Sequence, residues 1–133
     1  NCPYSHLPKG RMTREIARRV NSPSLKMLWD PGNSYRAEVT QVPEQWLNTT
    51  LEEEFQEVKD DICHIHLKNY HLDPVLAKPF VHPGMLEGDI DYISLLPRIA
   101  ALDVTVSLEP ELDPDTCVKE IDVLSGCVRD MNL

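Results

Sequence analysis

Residues 50–67 read TLEEEFQEVKDDICHIHL, and the two parts of this stretch follow different periods. Leu51, Phe55 and Val58 recur at helical spacing, and Glu52, Glu53 and Glu54 fill an opening turn where the helix dipole favours negative charge. The spacing predicts a helix over residues 50–59. Ile62–Leu67 (ICHIHL) is too short for a helix and is rich in β-branched and imidazole side chains, so it predicts a strand. A helix that runs directly into a short buried strand is the half-step from which α/β folds are built.

Outward from this stretch the same step repeats. Towards the amino terminus, Ser24–Asp30 (SLKMLWD) is an apolar run bounded by Pro23 and by Pro31-Gly32, a buried strand stopped by a turn. Before it, Thr13 reads as the N-cap of a helix ending near Val20. That helix carries Ile16, Ala17 and Val20 on one side and a basic stripe of Arg11, Arg14 and Arg18 on the other, expected to be solvated. Towards the carboxyl terminus, Asp89–Ala101 (DIDYISLLPRIAA) reads as a helix that Pro97 should kink or shorten. Val104–Leu108 (VTVSL) is a third strand, and residues 114–128 form a closing helix with a stripe of Val118, Ile121, Val123, Leu124 and Val128. Three short strands alternating with helices predict an α/β fold with a parallel sheet. The connections at residues 31–48 and 68–88, both after strands, are longer than compact domains usually tolerate without a function.

A chain of 133 residues with 41% hydrophobic residues suits a single domain over residues 1–133. No apolar run approaches the roughly 18 residues a membrane span needs, and Asn1 opens onto no signal peptide. The expectation is a soluble, cytoplasmic protein with no membrane partner. With 13 basic against 22 acidic side chains the net charge is −9, which disfavours nucleic-acid binding. Six of those basic residues and one acidic residue fall in residues 1–29, so this segment has a basic face of its own. Of the four cysteines, Cys117 and Cys127 share a predicted helix in which they could not meet, and reduced thiols are expected.

The chemistry collects at the strand ends. The first strand ends in Asp30, the second in His64-Ile65-His66 and the third leads into Glu109, so three parallel strands deliver an acid, an imidazole and a second acid to one rim. Carboxylate and imidazole donors suit a divalent cation such as Mg²⁺, Mn²⁺, Co²⁺ or Zn²⁺. His64 and His66 point to one face of their strand, and His66, nearer the rim, is the candidate ligand, with His64 a hydrogen-bonded neighbour. Cys63 faces the other way, which makes a Cys63/His64/His66 zinc site geometrically poor.

Trp29-Asp30-Pro31-Gly32-Asn33, Ile65-His66-Leu67-Lys68-Asn69, Leu86-Glu87-Gly88-Asp89-Ile90-Asp91 and Ser107-Leu108-Glu109-Pro110 resemble, in order and spacing, the C-terminal half of the xylose isomerase-like barrels. These form the sugar phosphate isomerase/epimerase group. The resemblance implies the C-terminal half of an eight-stranded TIM barrel. It also implies a divalent metal held by Glu, Asp, His and Glu from the last four strands, of which Asp30, His66 and Glu109 match the last three. The first glutamate normally ends the strand just before a segment resembling Asn1-Cys2-Pro3.

The implied activity is a metal-dependent sugar isomerase or epimerase, which moves a proton through an enediolate on a ketose, inosose or related sugar. Two glutamates flank the substrate carbon in that chemistry, and Glu109 is the catalytic one that this sequence supplies. Asn33, His64, Lys68 and His82 are candidates for substrate contact. Asn33 stands where the family often has His, and Asn69 where it often has Asp. His82 resembles a metal-binding His of the related apurinic endonuclease branch, but Phe80 occupies the place of its companion Asp. Whether the chain is catalytic by itself stays open. It reads either as a fragment of an isomerase or as a non-catalytic half-barrel or truncated product, which would assemble as a homo-oligomer or with a complementing chain.

Overall fold

The computed structural model describes residues 9–37, 42–109 and 112–131. The predicted Asn1-Cys2-Pro3 segment and Pro110 lie outside the described residues. The helices are α1 (Gly10–Val20), α2 (Pro31–Tyr35), α3 (Leu51–Val58), α4 (Tyr92–Ala100) and α5 (Pro114–Asp130). The strands are β1 (Met27–Trp29), β2 (Ile62–Leu67), β3 (His71–Leu72), β4 (Phe80–Val81) and β5 (Thr105–Leu108). One sheet has the order β1-β2-β5, and β3 pairs only with β4. β1 runs parallel to β2, with Leu28 opposite His64 and Trp29 opposite Ile65 after an irregularity between Met27 and Leu28. The described chain groups into two compact units, one taking the residues up to His66 together with Val104–Ser107, the other Leu67–Asp103 and the residues from Leu108 onward.

In the first unit, Met27, Trp29, Phe55, Val58, Ile62 and Ile65 are buried, and the Trp29 and Phe55 rings pack with centroids 5.4 Å apart. α3 starts at a complete capping box: the Thr50 hydroxyl accepts from the Glu53 amide and the Glu53 carboxylate accepts from the Thr50 amide. Those bonds from Thr50 hold the Glu53 carboxyl below its usual range.

α1 departs from its expected start and facing. It begins at Gly10 after Lys9, and Thr13 does not cap it; the Thr13 hydroxyl is buried without a partner. Packing sets the start, because a Cβ on Gly10 would sit 2.7 Å from Trp29 Cδ1 and 3.0 Å from Glu54 Oε1, so only glycine fits this approach. The basic stripe is a solvated face only at Arg18, and is packed at Arg11. Arg11 is 6% exposed, donates to Thr49 Oγ1 at 2.8 Å and pairs with Glu57; Arg14 donates to the Glu57 carbonyl, and Arg18 pairs with Asp61 at 2.8 Å. Ile16 and Val20, on the expected buried side, are 44% and 55% exposed. Complementary charge on α3 and the following turn (Lys59–Asp61) decides which side of α1 turns inward. The helix closes on Asn21 in the left-handed conformation (φ 50°), which Asn tolerates better than most side chains.

The second unit is organised by one buried amide. Asn69 Nδ2 donates to the Met85 and Ile90 carbonyls at 2.8 and 3.0 Å, and its Oδ1 accepts from the Tyr70 and Ile90 amides at 2.8 and 3.0 Å. A Cβ on Gly88 would lie 2.3 Å from the Asn69 side chain, which explains a glycine there. The connection expected as a long loop over 68–88 contains the β3–β4 ribbon, His71 opposite Val81 and Leu72 opposite Phe80. Likewise the described part of the 31–48 connection contains α2 and a 3-10 turn at Glu44–Trp46. α4 begins at Tyr92, three residues after the expected start, because Asp91 caps it, accepting from the Ser94 amide at 3.1 Å. Pro97 is accommodated inside this helix, whose Leu95, Leu96 and Ile99 are buried. α5 is capped by Asp113 with Pro114 in its first turn, and its Val118, Ile121 and Val123 are exposed.

Candidate metal centre

Asp30 immediately follows β1 and is 1% exposed. It serves as N-cap of α2: Oδ1 accepts from the Asn33 amide at 2.8 Å and Oδ2 from Asn33 Nδ2 at 2.7 Å. Pro31 fits the first helical position, where no amide hydrogen is needed. Asn33 is itself buried and orients both carboxylate oxygens.

His66 is the penultimate residue of β2, the strand beside β1, and a ring nitrogen of His66 and a carboxylate oxygen of Asp30 lie within 4.8 Å of each other. Two donors at that separation can bind one ion after small side-chain adjustments. His64, one layer below, meets His66 edge to face with ring centroids 5.2 Å apart. Its Nδ1 lies 2.5 Å from Thr105 Oγ1 and its Nε2 2.9 Å from Ser107 Oγ, so both ring nitrogens are engaged by hydroxyls of β5.

In the second unit Glu109 directly follows β5; its amide donates to the Leu67 carbonyl at 2.8 Å. Lys68, a candidate for substrate contact, is engaged within the protein. It is buried, and its Nζ donates to Glu109 Oε2 at 2.8 Å. Tyr92 Oη holds the Lys68 carbonyl at 2.7 Å, which fixes the backbone at this position. His82 packs against Tyr70 with ring centroids 4.7 Å apart, and Phe80 lies in β4.

No family model matches the chain, and no curated protein matches its sequence. Among solved structures it is similar to the probable 3-DHS dehydratase AsbF of Bacillus anthracis, described as involved in petrobactin synthesis. The TM-score is 0.68 at 21% identity, over 93% of this chain and 47% of that one. The fold is half of a (β/α) barrel. The chain therefore spans about half the length of the protein it matches, and its parallel strands alternate with helices as the sequence predicted.

In such a half-barrel the carboxyl ends of the strands are where side chains can meet a substrate. Asp30 and His66 stand at the carboxyl ends of β1 and β2, and Glu109, in the second unit, directly follows β5. A cleft of about 470 Å³ opens at the opposite ends of β1 and β2, beside Lys26, Met27, Asp61 and Ile62, away from Asp30 and His66. Among the described residues no helix is long and apolar enough to cross a membrane.

Two features escaped the sequence reading. Asp89 Oδ1 lies 2.8 Å from His71 Nδ1 while its Oδ2 accepts from the Leu72 amide, tying the loop after β2 to the segment before α4. Glu54 is buried and accepts from Trp29 Nε1 and Ser34 Oγ. Its signal was present: Leu51, Glu54, Phe55 and Val58 share one helical face, and an acid on that face demands a partner.

Proposed function

We propose that this chain is the C-terminal half of a metal-dependent enzyme of the xylose isomerase-like superfamily, acting on a sugar or a related polyhydroxy ketone. The observation that carries the reading is the Asp30–His66 pair, a buried carboxylate and an imidazole within 4.8 Å at the carboxyl ends of adjacent parallel strands. We assign the third donor to Glu109 on its residue type and its place directly after β5. The set of two carboxylates and one imidazole suits Mn²⁺, Co²⁺, Mg²⁺ or Zn²⁺. The likeness to AsbF supports the superfamily through its fold.

When bound, the cation would withdraw electron density from substrate oxygens and so acidify the carbon-bound proton beside the carbonyl. The chain's own residues supply the rest. Asn33 fixes Asp30, and the Thr105 and Ser107 hydroxyls fix His64 beneath His66. Glu109 takes or returns the proton, oriented by Lys68 through its 2.8 Å bond. The second carboxylate that enediolate transfer needs on the other face of the substrate is assigned to a complementing segment or chain. Asn33, Lys68 and His82 are the candidate contacts for substrate hydroxyls or an anionic group.

A second reading is a dehydratase, favoured by the activity after which the similar protein is named. Elimination of water from a β-hydroxy ketone begins with the same proton removal beside a carbonyl, so the two readings share a base and part on the fate of the hydroxyl. The test is solvent deuterium exchange, followed by NMR, on ketoses, inososes and cyclic hydroxy ketones with Mn²⁺, Co²⁺ or Mg²⁺ and the complementing half present. Exchange without loss of water supports an isomerase or epimerase. An enone chromophore with loss of hydroxyl supports the dehydratase, and no reaction on any substrate rejects both.

A further inference from the structure

Glu54 is a buried acid that nothing in the proposed chemistry uses. It lies on α3 at 1% exposure, where an apolar side chain of similar size would serve packing at least as well. One oxygen, Oε1, accepts two hydrogen bonds: from Trp29 Nε1 at 2.7 Å and from Ser34 Oγ at 2.5 Å. Trp29 is the residue before Asp30 and Ser34 lies four residues after it, so the two bonds grip both flanks of the turn that carries Asp30. Lys9 Nζ reinforces the outer flank by donating to the Ser34 carbonyl at 2.7 Å, and its charge balances that of Glu54. Every one of these groups belongs to the first unit, as do Asp30 and His66.

We propose that Glu54 is a positioning residue for Asp30. By holding Trp29 and Ser34 on a single oxygen it fixes the junction of β1 and α2, and thereby the direction in which Asp30 presents its carboxylate to a divalent cation beside His66. This rests on the cation reading of Asp30 and His66 above. What it adds is that the acceptor geometry of Glu54, rather than its charge, governs cation affinity from outside the ligand set.

The experiment uses the full chain and four variants: Glu54→Gln, which keeps a carbonyl acceptor; Glu54→Met, which removes it; Ser34→Ala, which removes one of the two bonds; and Gln56→Met, an exposed control on the same helix away from its cap. Two quantities are read. The first is Mn²⁺ affinity from the electron paramagnetic resonance signal of the free ion. The second is hydrogen exchange at the Asn33 amide without metal, which reports directly on Asp30 because Asp30 Oδ1 is its acceptor. Glu54→Met and Ser34→Ala are expected to weaken Mn²⁺ by about 10- to 100-fold, the usual cost of removing an outer-shell partner, and to speed Asn33 exchange while exchange in the middle of α3 is unchanged. Glu54→Gln and Gln56→Met should stay within about threefold of the parent, below that range.

Folded Glu54→Met and Ser34→Ala proteins with parental Asn33 exchange would overturn the proposal. If Glu54→Met does not fold, Ser34→Ala decides alone. A parent chain that binds no Mn²⁺ while the variants still lose Asn33 protection would reject the cation reading and leave the positioning of Asp30 standing. Weak Mn²⁺ binding by Glu54→Gln, equal to that of Glu54→Met, would show that charge matters and overturn the acceptor argument.

Discussion

At the scale of single residues, the first unit sets the half-buried Lys9 near the buried Glu54. Burial lowers the pKa of the Lys9 ammonium from its ordinary 10.5, the Glu54 charge raises it in part, and Arg11 lowers it further. The folded chain therefore gives up the Lys9 proton at a lower pH than the unfolded chain does. Between the lowered value and 10.5 the unfolded state binds more protons, and stability from this group rises with pH across that window. Lys9→Met should remove this rising component. Urea midpoints of parent and variant, measured from neutral pH into the alkaline range, should draw apart in the parent's favour as pH climbs; a constant difference would show that Lys9 is not desolvated. Asp30 and Glu109 were readable because each is followed by a Pro that stops an apolar run, and His66 because Lys68-Asn69 stops the run two residues on. Glu54 was not read, since its partners Trp29 and Ser34 lie 25 and 20 positions away.

At the scale of elements, legibility follows how local the cause is. β2 was predicted as Ile62–Leu67 and is observed so; α3 was predicted over 50–59 and runs Leu51–Val58, its start written into a Thr50/Glu53 capping box. α2 was missed because five residues behind an Asp cap read equally well as a turn, and β3 and β4 are too short to show alternation. The facing of α1 was read backwards because it depends on Glu57 and Asp61, some 40 positions away, rather than on its own apolar residues. That inversion makes a sharp prediction. Arg11→Met strips a buried guanidinium from Thr49 and Glu57 and should cost about 2 kcal/mol. Ile16→Glu, at an exposed position on the same helix, should stay within about 0.5 kcal/mol of the parent. Equilibrium denaturation of the two variants checks the order; a larger loss for Ile16→Glu would mean that the apolar side of α1 is the packed one.

At the scale of the whole molecule, three strands are the part of a barrel sheet that the described residues supply. In the order β1-β2-β5, the two outer strands each have one neighbour, and the similar solved chain is about twice as long. Open strand edges invite further pairing, and Val106 on β5 and Val118 and Ile121 on α5 add exposed apolar surface. The chain alone should therefore self-associate or take up a complementing half at micromolar concentration, which light scattering measures directly. A monomer with a cooperative melt would reject the open half-barrel. Activity should follow assembly, because Glu109 supplies one carboxylate and proton transfer across a substrate carbon needs an acid on one face and a base on the other. Exchange of the substrate proton should be close to background for the chain alone and rise on completion of the barrel. In the completed form Glu109→Gln should lose exchange while retaining its fold, whereas His66→Ala should lose Mn²⁺ as well. Full exchange by the Glu109→Gln protein would mean that the base lies elsewhere on the rim.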